Sequence, residues 1–376
     1  MIHKIAILGL GLIGGSLGLA LRKHRNDLHL TGYDAPAVCE EALRRQVVDA
    51  VASTPEAAVS EADLIVLATP LTPMLGLFDA IAPALRPGAL VTDVGSVKRP
   101  IMAHALHALS PKNRFIGGHP MAGSEKNGVA HADAFLFENA TYVLCPPEGV
   151  DEADLQREHP DFLAILGATG ARILVMEADR HDRIAAAVSH LPQLLSVTLM
   201  NFVGDLHDDD GGFLRLAAGG FRDMTRIASS SFDMWRDILV ANEGPILDVL
   251  GGFATALQKT RNRVFSEDMN AMRQAFTDSR ARRDMIPKTS KGFLHPLADV
   301  YVYAEDKPGF LFQLTRVLHE AQVNIKDLEL LKIREGIEGV FRIGFADQAT
   351  AEHLLQHRRG HPEDADPRRD VQAEDT

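Results

Sequence analysis

The stretch that decides the fold is KIAILGLGLIGGS, residues 4–16. Residues 4–8 form a short apolar run that predicts a strand, and the residues after the glycines have the apolar spacing of a helix. The glycines between them follow the pattern G-x-G-x-x-G, which combines a tight turn, close approach of a pyrophosphate to the backbone, and close packing of helix on strand. We therefore predict a dinucleotide site. The cofactor-binding residues predicted in this turn are Gly9, Gly11, Leu12, Ile13 and Gly14.

A carboxylate follows the next apolar run at the expected place. Asp34 comes directly after residues 28–33, at the spacing where an acidic side chain binds the hydroxyls of the adenosine ribose. A 2′-phosphate would be repelled by this carboxylate, and Ala35, Pro36 and Ala37 offer it no cation. NAD is thus expected rather than NADP. Asp34 is also placed to cap a helix beginning near Pro36, and the two roles are compatible.

The composition indicates a soluble, cytoplasmic protein. The chain has 376 residues, enough for two or three domains, and a formal charge of −12, which argues against a nucleic-acid surface. Its two cysteines show no pairing pattern and fit a reducing compartment. No signal peptide precedes the first strand, and the apolar runs are short and broken by charge, so no membrane partner is expected.

The chain changes character near Asp179. Residues 1–178 alternate strand and helix patterns, which predicts a doubly wound parallel sheet of the Rossmann type. Residues 179–283 have helical periodicity, and the stretches 182–203 and 232–264 contain few polar positions. Helices this apolar are buried on several sides. We expect an all-helical dimerisation domain and hence a homodimer; a monomeric helical domain folded back on the sheet is the alternative.

The rest of the chain divides into three parts. Residues 284–296 are basic and turn-rich and are read as a linker. Residues 297–350 combine strand patterns with one helical pattern, which predicts a small α+β domain. Residues 351–376 are charged, contain proline and have few apolar side chains, so a disordered tail is expected.

Chemistry is expected at the carboxyl ends of the strands, where open parallel sheets bind their ligands. His119 stands out because it follows two glycines at a strand end and its ordinary pKa suits proton transfer near neutral pH. Ser96 is placed to hydrogen-bond that imidazole or a substrate hydroxyl, or to cap the next helix. Thr69 and Pro70 are assigned to the cofactor, and Ser124 to the substrate.

The helical half supplies a second polar group. Ser189-His190-Leu191-Pro192-Gln193 interrupts an apolar helical pattern, which indicates either polar atoms at a cleft or a kink with a satisfied core histidine. Arg226 lies among apolar and small residues and requires a carboxylate partner, either Asp223 or a ligand. No His/Cys spacing typical of a metal site is present, so no metal is expected.

Five ordered motifs together resemble the prephenate/arogenate dehydrogenase family of tyrosine biosynthesis. They are G-L-G-L-I-G-G-S (9–16), D-V-G-S-V-K (93–98), G-G-H-P-M-A-G-S-E (117–125), S-H-L-P (189–192) and F-R-D-M-T-R-I-A (221–228). Residues 299–347 resemble an ACT domain, a small amino-acid-sensing module of ββαββ type, through D-K-P-G (306–309) and V-N-I (323–325).

The resemblance implies an NAD-dependent oxidative decarboxylation of prephenate. His119 then accepts the proton of the ring hydroxyl while a hydride is transferred and carbon dioxide is lost, and Ser96 orients His119 and the hydroxyl. Arg226 holds a substrate carboxylate, while Ser189, His190 and Gln193 lie on the substrate side. The resemblance also implies tyrosine as a regulatory ligand of the ACT-like domain. The residues assigned to that ligand are Asp306, Gly309, Asn324 and Ile325.

One position departs from the pattern of the family. Many relatives read S-H-L-P-H, whereas this chain has Gln193 at the last place. A neutral amide both donates and accepts, so it does not choose between the keto acid of prephenate and the amino acid of arogenate. Prephenate is preferred because ACT-bearing bacterial relatives tend to use it. The alternatives are an arogenate or dual cyclohexadienyl dehydrogenase, a β-hydroxyacid dehydrogenase, and a non-catalytic sensor of NAD and an amino acid.

Overall fold

The structure is a computed structural model of the whole chain. It describes residues 1–123, 126–206, 212–286, 298–305, 308–334 and 338–352, with backbone only at 305, 331–334 and 338. The chain divides into two compact units, Met1–Arg282 and Arg283–Thr376. The predicted linker and tail fall mostly outside the described residues.

The first unit is built on an eight-stranded sheet in the order β3-β2-β1-β4-β5-β6-β7-β8. The first six strands are mutually parallel. The strands are β1 Lys4–Leu8, β2 His29–Tyr33, β3 Ala50–Val51, β4 Leu64–Leu67, β5 Leu90–Asp93, β6 Arg114–Pro120, β7 Thr141–Cys145 and β8 Arg172–Val175. This is the predicted doubly wound, Rossmann-like arrangement for the first six strands.

The last two strands correct the expectation of a wholly parallel sheet. β7 runs antiparallel to β6, with Gly117 opposite Cys145 and Pro120 opposite Tyr142, and β8 is parallel to β7. A parallel neighbour requires a crossover connection, usually a helix. The described part of the connection 121–140 holds only a 3₁₀ turn, Val129–His131, so the chain re-enters the sheet from the edge where β6 ended.

Helices cover both faces of the sheet. They are α1 Leu12–His24, α2 Pro36–Arg44, α3 Pro55–Val59, α4 Leu71–Ile81, α5 Arg99–Ala108, α6 Glu152–Glu158 and α7 Pro160–Ala168. Alternate residues of β1 lie in two separate cores: Ile5 and Ile7 in one, Ala6 and Leu8 in the other. A strand buried on both faces requires an unbroken apolar run, which is why residues 5–8 show no polar alternation.

All described elements from residue 178 to 284 are helical. They are α8 Ala178–Ala185, a π-helical turn Ala186–His190, α9 Leu191–Gly204, α10 Gly212–Arg215, α11 Gly219–Thr225, the 3₁₀ turn Arg226–Ser229, α12 Phe232–Ala241, α13 Glu243–Phe265 and α14 Met269–Asp284. The apolar stretch 232–264 is therefore two helices that meet at Asn242, a buried polar residue.

The run Ala178–Gly204 has the length and hydropathy of a membrane span. One helix of this kind is weak evidence for a membrane, because a core helix of a soluble protein passes the same test.

The second unit contains β9 Ala298–Glu305, α15 Phe310–Glu320, β10 Asp327–Arg334 and β11 Glu338–Phe345. The strands form an antiparallel sheet in the order β10-β11-β9, with a core that includes Val300, Leu318 and Ile343. The order found, β–α–β–β, differs from the ββαββ order expected, because only one described strand of this unit precedes the helix.

The residues assigned to a regulatory ligand are only partly visible. Asp306 lies outside the described residues. Gly309 adopts a left-handed conformation (φ 87°) and precedes α15. Asn324 is exposed and Ile325 packs against the core of this unit; both precede β10 rather than beginning a strand. Their role in binding stays a prediction.

Candidate active site

The glycine turn after β1 is fixed by its surroundings. Gly9 has a φ of +100°, and a Cβ there would lie 2.5 Å from the carbonyl oxygen of Ala68. A Cβ at Gly14 would lie 1.9 Å from the carbonyl oxygen of Gly9, so α1 packs against the turn only because this residue has no side chain. No atom lies within 4 Å of the corresponding position at Gly11, which leaves the first turn of α1 open to a ligand.

Beside this turn lies a cavity of about 890 Å³ lined by Gly9, Asp34 and Thr69, among other residues. Asp34 accepts hydrogen bonds from the backbone N–H of Leu10 (2.7 Å) and Ala35 (2.6 Å). It does not cap α2, whose cap residue is Ala35 without a side-chain hydrogen bond, so the capping alternative is wrong. The Thr69 hydroxyl is buried and has no hydrogen-bond partner among the described residues.

The other cofactor residues lie around the same turn. Leu12 and Ile13 open α1 and are partly buried, and Pro70 directly precedes α4. Together with Gly9 to Gly14, Asp34 and Thr69, they lie at the carboxyl ends of the neighbouring strands β1, β2 and β4.

A buried ion pair holds the backbone that carries His119. The Lys98 ammonium contacts the Asp93 carboxylate, and both side chains are fully buried. Lys98 also donates to the carbonyl oxygen of Gly118 at 2.5 Å, while Asp93 accepts from the N–H of Gly118 at 3.0 Å. Both polar groups of Gly118 are thereby bound, and a Cβ there would lie 2.4 Å from the Asp93 carbonyl oxygen.

His119 is the first member of a hydrogen-bonded chain. Its Nδ1 lies 2.8 Å from Nε2 of His181, and Nδ1 of His181 lies 2.7 Å from Oδ1 of Asp182. Asp182 also accepts from the backbone N–H of Lys98 (2.7 Å) and Arg99 (2.9 Å). The side chain of Asp182 in α8 thus caps the N-terminus of α5.

Ser96 takes no part in this chain. Among the described residues no hydrogen bond links Ser96 to His119, and the cap residue of α5 is Lys98, so the capping alternative for Ser96 is wrong. Ser96 is partly exposed in the loop between β5 and α5. Its contact with a substrate stays a prediction.

The electrostatic environment keeps His119 neutral. Burial, followed by the positive charge of Lys98, lowers the pKa of His119 well below its ordinary value. A histidine that is neutral at physiological pH has a free lone pair and can accept a proton.

His190 lies at the end of the π-helical turn and is buried. The Asn242 amide donates to His190 Nδ1 (3.1 Å) and to the Asp182 carbonyl oxygen (2.9 Å). Because Nδ1 accepts, the hydrogen of neutral His190 is on Nε2. That nitrogen is buried without a partner among the described residues, as is Nε1 of Trp235, whose ring lies 5.8 Å away. Burial lowers the pKa of His190 to about 4. One nitrogen of His190 is satisfied, as the core alternative predicts, and a position at a cleft stays a prediction.

The remaining substrate-side residues are partly brought together. Gln193 is buried and donates from Nε2 to the carbonyl oxygen of Ile227 (2.9 Å), which joins α9 to the 3₁₀ turn that begins at Arg226. Arg226 is exposed, and Ser189 is partly buried within the π-helical turn. Ser124 lies outside the described residues. Substrate contacts of all four stay predictions.

The sequence pattern alone did not single out His181, Asp182, Asp93, Lys98 or Asn242. Asp93 and Lys98 stood within a recognised motif, and their opposite charges five residues apart were a usable signal. His181 and Asp182 gave only an adjacent imidazole and carboxylate near a domain boundary. Their contact with His119 spans 62 residues, which no local pattern reveals.

A nucleotide-type glycine turn joined in one unit to a neutral, partly buried histidine defines a nucleotide-dependent dehydrogenase with a helical second domain. Residues 17–175 match the family description "Prephenate dehydrogenase, nucleotide-binding domain", and residues 177–278 match "Prephenate dehydrogenase, dimerization domain". The chain is similar to a prephenate dehydrogenase of Bacillus subtilis (35% identity; 95% of this chain and 97% of the relative are covered). It belongs to the prephenate dehydrogenase family.

Two solved structures are similar over about three quarters of this chain. One is a prephenate dehydrogenase from A. aeolicus in complex with hydroxyphenyl propionate and NAD⁺, with a TM-score of 0.70, 26% identity and coverage of 76% of this chain and 99% of that one. The other is the arogenate dehydrogenase of Synechocystis, with a TM-score of 0.66, 31% identity and coverage of 75% and 99%.

Proposed function

We propose that this chain is a prephenate dehydrogenase that converts prephenate to 4-hydroxyphenylpyruvate by NAD-dependent oxidative decarboxylation. The observation that carries the proposal is His119, a partly buried and neutral imidazole near the carboxyl end of β6. The glycine turn follows the carboxyl end of β1, and because β1, β4, β5 and β6 are parallel, both lie at the same edge of the sheet.

The residues at the glycine turn fit NAD. The space at the Cβ position of Gly11 is open, the Asp34 carboxylate suits ribose hydroxyls, and the buried Thr69 hydroxyl has no hydrogen-bond partner within the described part of the chain. Gly9, Gly11, Leu12, Ile13, Gly14, Asp34, Thr69 and Pro70 would hold the cofactor. Bound NAD supplies the acceptor for a hydride.

The protein's own contribution is to position the substrate and to take one proton. His119 accepts the proton of the ring hydroxyl at Nε2, so the O–H bond breaks and the electron pair stays on oxygen. Loss of carbon dioxide makes the ring aromatic, which supplies driving force. His190 offers an N–H from Nε2 to a substrate oxygen, and Arg226 binds a substrate carboxylate. Ser96, Ser124, Ser189 and Gln193 complete the substrate side.

The choice of prephenate over arogenate rests on similarity along the whole chain. The Bacillus subtilis relative, which matches over 95% of this chain, is a prephenate dehydrogenase. The alternative, arogenate or both substrates, is kept because the Synechocystis structure is an arogenate dehydrogenase. Gln193 has one amide hydrogen bound to Ile227, which leaves both donor and acceptor capacity for either side chain.

The test is turnover of prephenate and of arogenate with NAD, followed by NADH absorbance. We expect prephenate to be the better substrate. His119→Asn should bind NAD normally and lose about 10²–10⁴-fold in kcat, the usual contribution of a general base. An inactive wild-type protein that still binds NAD would support the sensor alternative, and near-normal turnover of His119→Asn would remove His119 from the mechanism.

The protein is further proposed to act as a cytoplasmic homodimer joined through its helical domain. Large apolar side chains of that domain are exposed in the single chain, including Phe202, Phe232, Leu257 and Phe265. Exposed apolar surface of this kind is typical of an interface between subunits. Both cysteines are free, as expected for a reducing compartment. Sedimentation at micromolar concentration tests the dimer.

The second unit is proposed to be an ACT-like domain that binds tyrosine and inhibits the enzyme. The support is its β–α–β–β order and the left-handed Gly309 before α15, which leaves backbone N–H groups at the start of that helix. Tyrosine should lower activity of the full chain, with phenylalanine and tryptophan as controls, and truncation near Lys291 should leave an active enzyme insensitive to tyrosine. A full chain that shows neither inhibition nor a thermal shift would make the domain structural.

A further inference from the structure

We propose that His181 and Asp182 are positioning residues that fix the tautomer of His119 in which Nε2 can accept a proton. The inference rests on the proposed function, because it takes His119 as the base. It is carried by a row of three hydrogen-bonded side chains, each buried or half-buried. His119 lies 2.8 Å from His181, and His181 lies 2.7 Å from Asp182.

The positions of the hydrogens follow from Asp182. Both oxygens of its carboxylate accept a backbone N–H, Oδ1 from Lys98 and Oδ2 from Arg99, so both act as hydrogen-bond acceptors. The Nδ1 of His181, which faces the same carboxylate, must therefore carry a hydrogen. In a neutral imidazole the other nitrogen is then a lone pair. Nε2 of His181 is thus an acceptor.

The same reasoning passes to His119. Its Nδ1 faces the lone pair of His181 and must donate, which places the lone pair of neutral His119 on Nε2. The opposite tautomer would put two lone pairs against each other at 2.8 Å and a hydrogen where the substrate proton must arrive. The chain therefore selects the one neutral form that can act as a base.

The three hydrogen-bonded side chains also stabilise the positive charge that forms on His119. When Nε2 of His119 takes a proton, the ring becomes an imidazolium whose Nδ1–H donates to His181, and the Nδ1–H of His181 donates to the Asp182 carboxylate. Lys98 and His190 also lie near His119, but neither carries a negative charge that could compensate the imidazolium. Asp182 is the carboxylate that opposes them through His181.

Three substitutions of His181 separate this role from packing. The amide of glutamine reaches about as far as Nε2 of histidine, so Oε1 of His181→Gln can accept from His119, whereas the shorter amide of His181→Asn cannot. We expect His181→Gln to keep kcat within about fivefold of wild type, and His181→Asn and His181→Leu to lose about 100-fold. KM for prephenate and for NAD should change by less than about threefold in all three, because substrate binding is retained. His107→Leu, at an exposed position on α5, is the control.

The outcomes are distinct. Equal kcat in His181→Gln and His181→Asn, or wild-type kcat in His181→Leu, overturns the proposal while wild-type turnover upholds the proposed function. If His181→Leu does not fold, as judged by thermal melting, the comparison of the two amide variants decides. If wild type does not turn over prephenate, the proposed function fails, and ¹⁵N NMR of labelled histidines still tests the tautomer: a protonated Nε2 on His119 in the free protein overturns it.

Discussion

In the sheet domain, buried side chains hold the backbone beside His119, whereas in the helical domain two buried N–H groups have no acceptor among the described residues. Asp93 and Lys98 satisfy both polar groups of Gly118. His190 Nε2 and Trp235 Nε1 lie buried without acceptors among the described residues. A satisfied buried network is rigid, and a buried donor without a partner is costly until a ligand supplies one. The backbone beside His119 is therefore held in place in the free chain, and the two N–H groups of the helical domain await an acceptor.

The largest expected effect is on stability, and it comes from breaking the buried ion pair of Asp93 and Lys98 in the sheet domain. Lys98→Met leaves the Asp93 carboxylate buried without its cation, which should lower the free energy of unfolding by about 3–5 kcal/mol. Lys112→Met, at an exposed position, should change it by less than about 0.5 kcal/mol. Urea unfolding measures both. If Lys98→Met lowers the free energy of unfolding by less than about 1 kcal/mol, the ion pair does not stabilise the sheet domain.

Arg226→Ala tests how much the helical domain contributes to the affinity for prephenate. Removing the partner of a desolvated carboxylate costs about 2–5 kcal/mol, so KM for prephenate should rise at least about thirtyfold, while KM for NAD stays the same. Arg180→Ala, exposed on α8, is the matched control in steady-state kinetics. An unfolded Arg226→Ala protein would instead make Arg226 a structural residue.

The third effect is a pH dependence of stability that comes from His190. Its pKa is about 4 in the folded chain and about 6.5 when unfolded, so between these values the unfolded chain binds more protons. The free energy of unfolding should therefore fall as pH decreases from 6.5 to 4, with a contribution from His190 of up to about 3 kcal/mol. His119, whose pKa is also lowered, acts in the same direction.

The contribution of His190 is isolated by difference. Thermal melting of wild type and His190→Gln across this pH range should show a smaller slope in the variant, and His107→Gln should keep the slope of wild type. Parallel curves for wild type and His190→Gln would mean that this imidazole is not desolvated in solution.

The smallest effect on stability is expected from Trp235→Phe. The substitution removes a buried N–H that has no partner, so the free energy of unfolding should stay within about 1 kcal/mol of wild type or increase. KM for prephenate should rise by about fivefold to tenfold if the N–H binds substrate, the value of one hydrogen bond. Stability lower by more than about 2 kcal/mol would reveal a structural partner and weaken the contrast between the two domains.

The sequence predicted well what depends on neighbours along the chain. The glycine spacing at Gly9 and Gly14 follows from backbone sterics within a few residues, and the apolar run 4–8 follows from burial on two faces. The one helical pattern predicted within residues 297–350 corresponds to α15, because its apolar spacing is also local. The family followed from five motifs, each a local pattern.

The parts that were not predicted depend on contacts between distant residues. The antiparallel entry of β7 is decided by where the chain returns to the sheet, which the apolar pattern of 141–145 does not encode. The break at Asn242 exists because its amide bonds to Asp182 and His190, more than 50 residues away. The partner of His119 was expected to be Ser96, its neighbour by strand order, and is His181 in another domain.

Two helices of the sheet domain take their N-terminal hydrogen-bond acceptors from the helical domain. Asp237 accepts from the N–H of Thr72 in α4, and Asp182 accepts from Lys98 and Arg99 at α5; neither helix has a side-chain cap of its own. A fragment ending at residue 176 would lose both acceptors, at about 1 kcal/mol each. The nucleotide-binding half should therefore be less stable alone by about 2 kcal/mol, and a chimera with the helical half of another dehydrogenase should keep this stability only if that half supplies carboxylates at the positions of Asp182 and Asp237.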